Sequence, residues 1–288
     1  MRKRLTKEQR DTLRTWLFLA PSLLGVLVFF VAPFGVVIWY SLVNNPVQHV
    51  PVGLANYFRV ARNEAYRLAV WNTIRFSLTA VPLSVLLSLL AAILMEAALP
   101  WKSFFRSCLL SPLMVPVASV VLIWQVLFHY NGLVNAVLGV HIDWLKSEHA
   151  QIVIVLLFIW KNLGYNMILF MAALASIPRD LIEVSQIEGA GRFTVFFRIK
   201  LRYLSATILF VTIMSLLNSF KVFRETYLMT GEYPYDSLYL LQHFMNNTFL
   251  ALDYQKLSAA AVMMSAVIIL LVGILFIAED RFGRDIED

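Results

Sequence analysis

The apolar run IVIVLLFIWKNLGYNMILFMAAL, residues 152–174, decides the fold class of this chain of 288 residues. About 20 consecutive apolar residues cross the hydrocarbon core of a bilayer as one helix, and this run has the length of such a span. Its polar residues begin at Lys161, which lies close to the middle of the run. We therefore predict a transmembrane helix that carries several polar side chains at membrane depth.

Five further apolar runs also have the length of a spanning helix. They cover residues 16–42, 73–95, 107–128, 204–223 and 257–277. The whole chain is 60% hydrophobic and 15% charged, whereas soluble domains are about half apolar and a quarter charged. One soluble core cannot bury so much apolar surface. The composition excludes a soluble enzyme, a disordered segment and a fibre, and it predicts an all-α, polytopic membrane bundle of six transmembrane helices.

The basic residues predict how the six spans are oriented, because cytoplasmic loops carry an excess of Lys and Arg. With the N-terminus inside, the cytoplasmic segments hold fifteen Lys and Arg residues and the outside loops hold six. We therefore expect both termini in the cytoplasm. The predicted parts are a cytoplasmic segment at 1–15, a transmembrane domain at 16–278 with a long cytoplasmic loop at 175–203, and a cytoplasmic tail at 279–288.

The chain lacks the motifs of several other functions. The net charge of +6 fits basic loops, and no basic stripe interleaves with exposed aromatic residues as single-strand nucleic-acid binding requires. A single cysteine, Cys108, and five scattered histidines predict no metal site. No phosphate-binding loop, G-x-S-x-G or H-E-x-x-H motif occurs, so we expect neither an enzyme nor a bound cofactor.

The predicted spans contain no carboxylate in their middle. Ionisable residues at membrane depth mark functional sites, and those found here are basic. Coupling-ion sites usually need a buried carboxylate. An ion-coupled secondary transporter is therefore only a distant alternative.

Two spans carry polar residues at helical spacing, which makes them candidates for a solute cavity. They are Lys161, Asn162, Tyr165 and Asn166 in the fourth run, and Ser215, Asn218 and Lys221 in the fifth. A lysine at this depth costs about 2.5–3.5 kcal/mol to insert, so it should face a cavity or the bundle interior. Amides, hydroxyls and an aromatic ring suit a polyhydroxylated ligand. The alternatives are hydrogen bonds between helices, or an ion pair of Lys161 with a carboxylate on a partner chain.

The loop at 175–203 carries more apolar surface than a solvated loop exposes. Its sequence reads as two short helices around GAG at 189–191. The apolar residues are Leu181, Ile182, Val184, Ile187, Phe193, Phe196, Phe197 and Ile199. Amphipathic helices of this kind lie on lipid or bind in a groove of another protein. Because Glu183 and Glu188 oppose an anionic lipid surface, we expect a partner subunit.

The stretch IPRDLIEVSQIEGA, residues 177–190, closely resembles the EAA loop of ABC importer permeases. The family pattern reads roughly I-P-x-x-L-x-E-A-A-x-I-D-G-A, and I-x-L-P follows further along the chain. Val184 and Ser185 stand where the family has two alanines, and Glu188 replaces the aspartate. The later motif matches as far as Arg202, which replaces its proline.

Other segments resemble the carbohydrate-importer branch of this family, the maltose-transporter first-permease type. They are GLANY at 53–57, NT at 72–73, FFR at 104–106, SF at 219–220 and YLMTG at 227–231, with Pro112, Pro116, Trp124, Gly132, Asn135 and Pro234. The resemblance covers nearly the whole chain in order. It implies a permease subunit that forms the pathway for an oligosaccharide or a related polyol.

The same resemblance implies partners and a coupling mechanism. A second homologous permease would complete the pathway, an extracytoplasmic solute-binding protein would deliver the solute, and a cytoplasmic ATPase would bind ATP and Mg²⁺. The residues assigned to contact with the ATPase are Glu183, Ser185, Glu188, Gly189 and Ala190. Gly189 would permit the tight bend between the loop helices. Closure of the ATPase pair on ATP would then turn the spans from inward- to outward-facing.

The solute stays open between two classes. A carbohydrate or polyol fits the amides and the aromatic ring of the two polar stripes. A glycerol phosphodiester or an acidic sugar is the alternative, because Lys161 and Lys221 supply positive charge.

Overall fold

A computed structural model describes residues 7–96 and 101–283. In these ranges the regular structure is helical, with one isolated bridge between Val43 and Pro51. The all-α prediction is therefore confirmed. The outer parts of the two predicted cytoplasmic end segments, residues 1–6 and 284–288, lie outside the described residues.

Fifteen α-helices follow one another along the described chain. They are α1 (Lys7–Val26), α2 (Ala32–Ser41), α3 (Ala55–Arg62), α4 (Glu64–Glu96), α5 (Lys102–Leu110), α6 (Val117–Leu127), α7 (Leu133–Leu138), α8 (Ala150–Ala175), α9 (Arg179–Ile187), α10 (Arg192–Thr194), α11 (Leu201–Tyr203), α12 (Ser205–Lys221), α13 (Phe223–Thr230), α14 (Leu241–Leu250) and α15 (Tyr254–Gly283). Leu27–Val31 and Val195–Lys200 are π-helical, and Ser111–Leu113, Trp144–Lys146 and Asp236–Leu238 are 3₁₀ turns.

Five helical stretches of the described chain are long and apolar enough to cross a membrane. They are Thr15–Ser41, Glu64–Glu96, Ala150–Ala175, Ser205–Thr230 and Tyr254–Arg281. These stretches match five of the six predicted runs. The third run, at 107–128, is a bent pair of helices instead, Lys102–Leu113 and Val117–Leu127, with an angle of 101° between them.

Proline explains the bend in the third run. Pro116 precedes α6 with an extended backbone, φ −56° and ψ 139°. Proline has no N–H to donate to the preceding turn, and it disfavours the helical conformation of the residue before it. The run at 107–128 is therefore broken at Pro116, and its two halves run in different directions.

Gly164 brings α5 and α8 into backbone contact. A Cβ atom at this position would lie 2.0 Å from the carbonyl oxygen of Leu109. No side chain larger than hydrogen fits there unless the two helices move apart. The bent pair is thus held against the middle of α8.

The described chain divides into two compact units. One comprises Met1–Asn63 and Thr248–Ala266. Its apolar helix Thr15–Ser41 buries none of its most apolar window within the structure. Asn56, on α3, is buried and donates to the carbonyl oxygens of Ser41 (3.0 Å) and Val43 (2.9 Å), which fixes the turn after α2.

The other unit comprises Glu64–Asn247 and Val267–Asp288, and its core lies among α4, α8 and α12. One apolar cluster includes Phe76 and Phe158, whose rings meet edge to face at 5.6 Å. A second cluster includes Met167 and Phe170. The polar part of α8 lies between these two clusters along the helix, so its side chains are placed at mid-length of a span.

Candidate functional site

A polar cavity of about 230 Å³ lies where α8 meets α12 and α13. Its polar lining residues are Lys161, Asn162, Asn218, Lys221, Arg224 and Glu225. Four of the six predicted cavity residues are therefore brought together here. Apolar side chains such as Phe158 and Val222 form the rest of the wall. We call this space the polar cavity.

Lys161 forms an ion pair with Glu225 of the same chain, at the start of α13. The side chain of Glu225 is 8% exposed and that of Lys161 is 24% exposed. The expectation that ionisable groups at membrane depth are only basic is wrong, as is the idea of a carboxylate from a partner chain. Sequence reasoning missed Glu225 because it ended the fifth span at residue 223, next to Arg224.

The two amides of the polar cavity bond to each other. Asn218 donates from Nδ2 to Oδ1 of Asn162 at 3.0 Å, and Asn162 donates from Nδ2 to the carbonyl oxygen of Phe158 at 2.8 Å. This arrangement fixes the orientation of both amides. The side-chain oxygen of Asn218 keeps its capacity to accept a hydrogen bond from a ligand.

Lys221 and Arg224 are the charged groups of the polar cavity that form no ion pair within the described residues. Both side chains are exposed on this chain. With the pair of Lys161 and Glu225 neutral overall, the cavity carries two unbalanced positive charges.

Asn166 does not line the polar cavity, which corrects the prediction. It is 1% exposed, and its Nδ2 donates to Oγ of Ser215 at 3.0 Å and to Oγ of Ser84 at 3.4 Å. These bonds join α8 to α12 and α4. Asn166 and Ser215 therefore hold the three central helices together, as the alternative from the sequence proposed.

Tyr165 also lies outside the polar cavity, and its side chain is exposed on this chain. A further polar contact between spans joins the hydroxyls of Ser77 and Ser219, which are 2.9 Å apart. Apart from their positions in apolar runs, nothing in the sequence indicates that these two serines meet. The role of Tyr165 toward a solute stays a prediction.

The 175–203 loop folds as two helical pieces, as expected. The bend between them lies at Gly189, whose φ of 87° falls in the left-handed region that favours glycine. The helix before it, α9, exposes Leu181, Val184 and Ile187 on one side. Within the described residues, these three side chains stay 40%, 52% and 85% exposed.

The predicted coupling residues surround this bend. The carboxylates of Glu183 and Glu188 are exposed, while Ser185 donates from Oγ to the carbonyl oxygen of Ile182 at 2.8 Å. The N–H of Ala190 donates to the carbonyl oxygen of Ser185 at 2.9 Å and closes the end of the helix. Their contact with an ATPase stays a prediction.

An ion pair between Lys200 and Glu96 connects the 175–203 loop to the end of a span. Nζ of Lys200 lies 2.7 and 2.6 Å from the two carboxylate oxygens of Glu96, the last residue of α4. In the sequence, Glu96 directly follows the run at 73–95, and its position does not indicate this partner. The pair links the second helical piece of the loop to the end of α4.

At the opposite end of the same unit, three side chains hold the segment before α14. Asn72 donates from Nδ2 to the carbonyl oxygens of Asp236 (2.5 Å) and Tyr239 (3.1 Å). Gln151 donates to the carbonyl oxygen of Asn72 at 3.2 Å, and Thr73 accepts from the N–H of Leu241 at 2.9 Å. The NT pair at 72–73 therefore has a structural role in fixing this segment.

His243, on α14, is fully buried. Its Nδ1 accepts from the N–H of Leu240 at 3.2 Å, while its Nε2 has no hydrogen-bond partner in the described part of the chain. Burial lowers the pKa of His243 from 6.5 to about 4, so the ring is neutral at pH 7. Among the described residues, no group of three His, Cys, Asp or Glu side chains is arranged to hold a metal ion.

Comparison with known proteins adds a family and a fold. Residues 84–288 match the family described as binding-protein-dependent transport system inner membrane component. The sn-glycerol-3-phosphate transport system permease protein UgpA of Salmonella choleraesuis (strain SC-B67) is 33% identical over 213 residues, which is 71% of this chain and 72% of that protein. The trehalose/maltose transport system permease protein MalF of Thermococcus litoralis is 30% identical over 286 residues, 96% of each chain.

A solved structure shows the same fold. It is the bacterial alginate ABC transporter in complex with an alginate pentasaccharide-bound periplasmic protein. One of its chains superposes with a TM-score of 0.82 at 19% sequence identity, over 98% of this chain and 99% of that chain.

Proposed function

The chain belongs to the family of binding-protein-dependent transport system inner membrane components and is a multi-pass membrane permease, and from this premise we propose that it forms one half of the pathway through which an ABC importer moves a carbohydrate or a related polyol. MalF, which is named for trehalose and maltose transport, matches 96% of this chain and supports that class of solute.

The observation that carries the proposal is the polar cavity at mid-length of the spans. A polar solute crosses a membrane only where protein groups replace its hydration, and here Asn218, Lys221 and Arg224 offer unused hydrogen-bonding capacity. The volume of about 230 Å³ lies below the ~300–1,000 Å³ of complete small-molecule sites. A second permease that faces the cavity would supply the missing wall.

The 175–203 loop is the proposed contact with a cytoplasmic ATPase that holds ATP and Mg²⁺. The apolar side of α9 would enter a cleft of that subunit, with Glu183 and Glu188 at its polar rim. Movement of the docked helix would reach α4 through the ion pair between Lys200 and Glu96, and α12 through the continuous chain. Both termini would then lie in the cytoplasm, which agrees with the distribution of basic residues.

The opposite end of the spans would face an extracytoplasmic solute-binding protein. The alginate transporter of the same fold forms a complex with such a periplasmic protein. In this chain the corresponding end carries the segment before α14, which is held in place by Asn72, Thr73 and Gln151. A fixed surface is what repeated docking requires.

Two glycines of the 175–203 loop provide a matched test of the coupling role. Gly189 has a φ of 87° and Gly191 a φ of −67°, and at both positions a Cβ would meet no atom within 4 Å. Gly189→Ala should strain the bend by about 1–2 kcal/mol, whereas Gly191→Ala should not. We expect purification of the tagged protein from its native membrane in mild detergent to recover an ATPase and a second permease with wild type and Gly191→Ala. Gly189→Ala should recover less of the ATPase and the same amount of permease.

Two results would contradict this proposal. Recovery of the chain without any ATPase, under conditions that preserve known complexes, would remove the importer assignment. Equal ATPase recovery with Gly189→Ala, Gly191→Ala and Glu183→Ala would leave the importer in place but remove the loop from the contact.

A second candidate solute is an organic anion such as a glycerol phosphate ester or an acidic sugar. The unbalanced charges of Lys221 and Arg224 in the polar cavity favour it, and the similar UgpA is named for sn-glycerol-3-phosphate transport. For this solute, Lys221→Gln should lower uptake of sn-glycerol 3-phosphate by reconstituted transporter and leave uptake of maltose unchanged. Equal effects on both solutes would reject the anion.

A further inference from the structure

A second cavity, larger than the polar cavity, lies at the other end of α13. Its volume is about 810 Å³, which falls within the ~300–1,000 Å³ of complete small-molecule sites. It is formed by the end of α6, the turn at Trp144–Lys146 and residues 229–236, which are the last two residues of α13 and the segment after it. We call it the loop cavity. Because α8 separates residues 143–146 from the 175–203 loop by 26 residues, or about 39 Å of helix, the two lie at opposite ends of the unit.

The loop cavity presents flat aromatic surfaces to solvent. Tyr130, Tyr233 and Tyr235 line it and are 48%, 77% and 40% exposed. A tyrosine combines an apolar ring with a hydroxyl that donates and accepts. Such rings stack on the C–H face of a pyranose, which is apolar although its edge carries hydroxyls.

Carboxylates lie beside these rings. Asp143 and Asp236 line the loop cavity, and neither forms an ion pair within the described residues. An ionised carboxylate accepts hydrogen bonds at two oxygens, so it can bind two neighbouring hydroxyls at once. Aromatic rings next to pairs of carboxylate oxygens, which accept hydrogen bonds, are a combination suited to binding a sugar.

The walls of the loop cavity are fixed before any ligand arrives. Asn135 is 3% exposed and donates to the carbonyl oxygens of Tyr130 and Ile142, both at 2.8 Å, while it accepts from Nε1 of Trp144 at 2.6 Å. This clamp sets the distance between Tyr130 and the turn that carries Asp143.

The other wall is held in the same way. Gln125 donates from Nε2 to the carbonyl oxygen of Met229 at 2.9 Å, and Asn72 donates to the carbonyl oxygen of Asp236. Walls that are already in place save the entropy of ordering them on binding. The loop cavity therefore has the properties of a binding site and not of a gap between mobile loops.

Charge separates the two cavities. The loop cavity carries two carboxylates, Asp143 and Asp236, and one ammonium group, Lys146, which gives these three side chains a balance of one negative charge. The polar cavity carries two positive charges in excess. An anion would be repelled from the loop cavity and a neutral saccharide would not.

We propose that the loop cavity is a saccharide-binding site of the permease itself, which holds a neutral pyranose ring by stacking on Tyr233 and Tyr235 and by hydrogen bonds to Asp143 and Asp236. The loop cavity receives one end of an oligosaccharide before the sugar moves along α13 into the polar cavity. This inference deepens the proposed import of a carbohydrate and rests on it for the direction of transport, but binding in the loop cavity is measured without transport.

The experiment uses the complete transporter in lipid nanodiscs, without the solute-binding protein and without ATP. Isothermal titration calorimetry measures binding of maltotriose, with trigalacturonate as its anionic counterpart and choline as a cation. We expect binding of maltotriose and at least about tenfold weaker binding of trigalacturonate and choline, a difference of about 1.4 kcal/mol.

Variants assign the binding to the loop cavity. Tyr235→Ala and Asp143→Asn should each weaken maltotriose binding about tenfold or more, while Tyr235→Phe, which keeps the ring, should retain most of it. Tyr203→Ala removes a tyrosine of similar exposure on α11, at the other end of the unit, and should change nothing.

Several results would overturn the inference. They are absence of maltotriose binding to wild type, unchanged binding in Tyr235→Ala and Asp143→Asn, or tighter binding of trigalacturonate or choline. If the same variants instead weaken association of the solute-binding protein and leave sugar binding unchanged, the loop cavity is a protein-docking surface. Maltose uptake by wild-type proteoliposomes, measured separately, tests the import function. A failure of import and a failure of saccharide binding in the loop cavity are therefore distinguished.

Discussion

Helices α8 and α9 follow one another in the chain and differ in which side chains they bury and which they expose. In α8, polar groups lie inside a membrane span: Lys161 and Asn166 lie along the helix between two apolar clusters. In α9, apolar groups lie outside the packed core: Val184 is 52% exposed and Ile187 is 85% exposed.

The difference lies in where the partners are found. Lys161 pairs with Glu225, and Asn166 bonds to Ser84 and Ser215, so the polar groups of α8 are satisfied within the chain. The exposed apolar groups of α9 have no cover within the described residues. The polar groups inside the span therefore stabilise this subunit through bonds within the chain. The exposed apolar groups of the loop instead indicate contact with another subunit.

The largest expected effect comes from removing one charge of the pair in α8 and α13. Glu225→Gln leaves Lys161 at membrane depth without its carboxylate and should lower the free energy of unfolding by about 3–5 kcal/mol. Lys161→Met combined with Glu225→Met removes both charges and should recover most of that loss. Thermal unfolding in detergent, followed by intrinsic fluorescence, measures all three proteins.

The pair of Lys200 and Glu96 is the control, because the carboxylate of Glu96 is 41% exposed, whereas that of Glu225 is 8% exposed. Glu96→Gln should cost less than about 1 kcal/mol. If Glu225→Gln and Glu96→Gln lower the free energy of unfolding by the same amount, the ion pair inside the span contributes no more to stability than the pair at the end of α4.

An intermediate effect on stability is expected from His243, whose buried Nε2 has no hydrogen-bond partner within the described residues. Unfolded His243 binds a proton below pH 6.5, and the folded protein does so only near pH 4. Stability is therefore complete above pH 6.5 and falls by up to about 3 kcal/mol as the pH drops to 4. His243→Asn keeps an acceptor for the N–H of Leu240 and does not titrate, so its stability should depend less on pH in this range.

His49→Asn is the matched control for that experiment. His49 is exposed and has a φ of 53°, which asparagine also accepts. Its replacement should leave the pH dependence of wild type in place. Identical pH profiles for His243→Asn and wild type would show that the buried ring does not control acid stability.

The smallest effect on folding is expected at the exposed apolar face of α9. Ile187→Ser should change stability by less than about 0.5 kcal/mol, because its side chain contributes little to the core. It should still reduce recovery of the ATPase with the purified permease. Val47→Ser, at a side chain that is 84% exposed in the other unit, should change neither quantity. If ATPase recovery is unchanged with Ile187→Ser, the exposed apolar face of α9 does not contact the ATPase.

The spans were predictable from hydrophobicity because the bilayer fixes their length. The run at 152–174 became Ala150–Ala175 and the run at 73–95 became part of Glu64–Glu96. The bend at Pro116 was not predicted, since a proline within a span is tolerated when neighbouring helices satisfy the backbone. Only tertiary structure shows whether that happens.

The polar stripe of α8 was half right for a geometric reason. Tyr165 and Asn166 lie four residues, about 6 Å of helix rise, beyond Lys161 and Asn162 on nearly the same faces of α8. At that depth Asn166 contacts α4 and α12, whereas Asn162 reaches the polar cavity. Spacing alone did not give the extent of the cavity along the helix, and it gave no sign of Glu225, which follows the run at 204–223.

The bent third span has an electrostatic consequence for the polar cavity. Val117 is the first residue of α6 and lines that cavity. The aligned peptide dipoles of a helix place the equivalent of about half a positive elementary charge at its N-terminus. This potential comes from the backbone, so replacement of both Lys221 and Arg224 by neutral residues leaves the polar cavity attractive to the oxygen atoms of a solute, including the hydroxyls of an uncharged sugar.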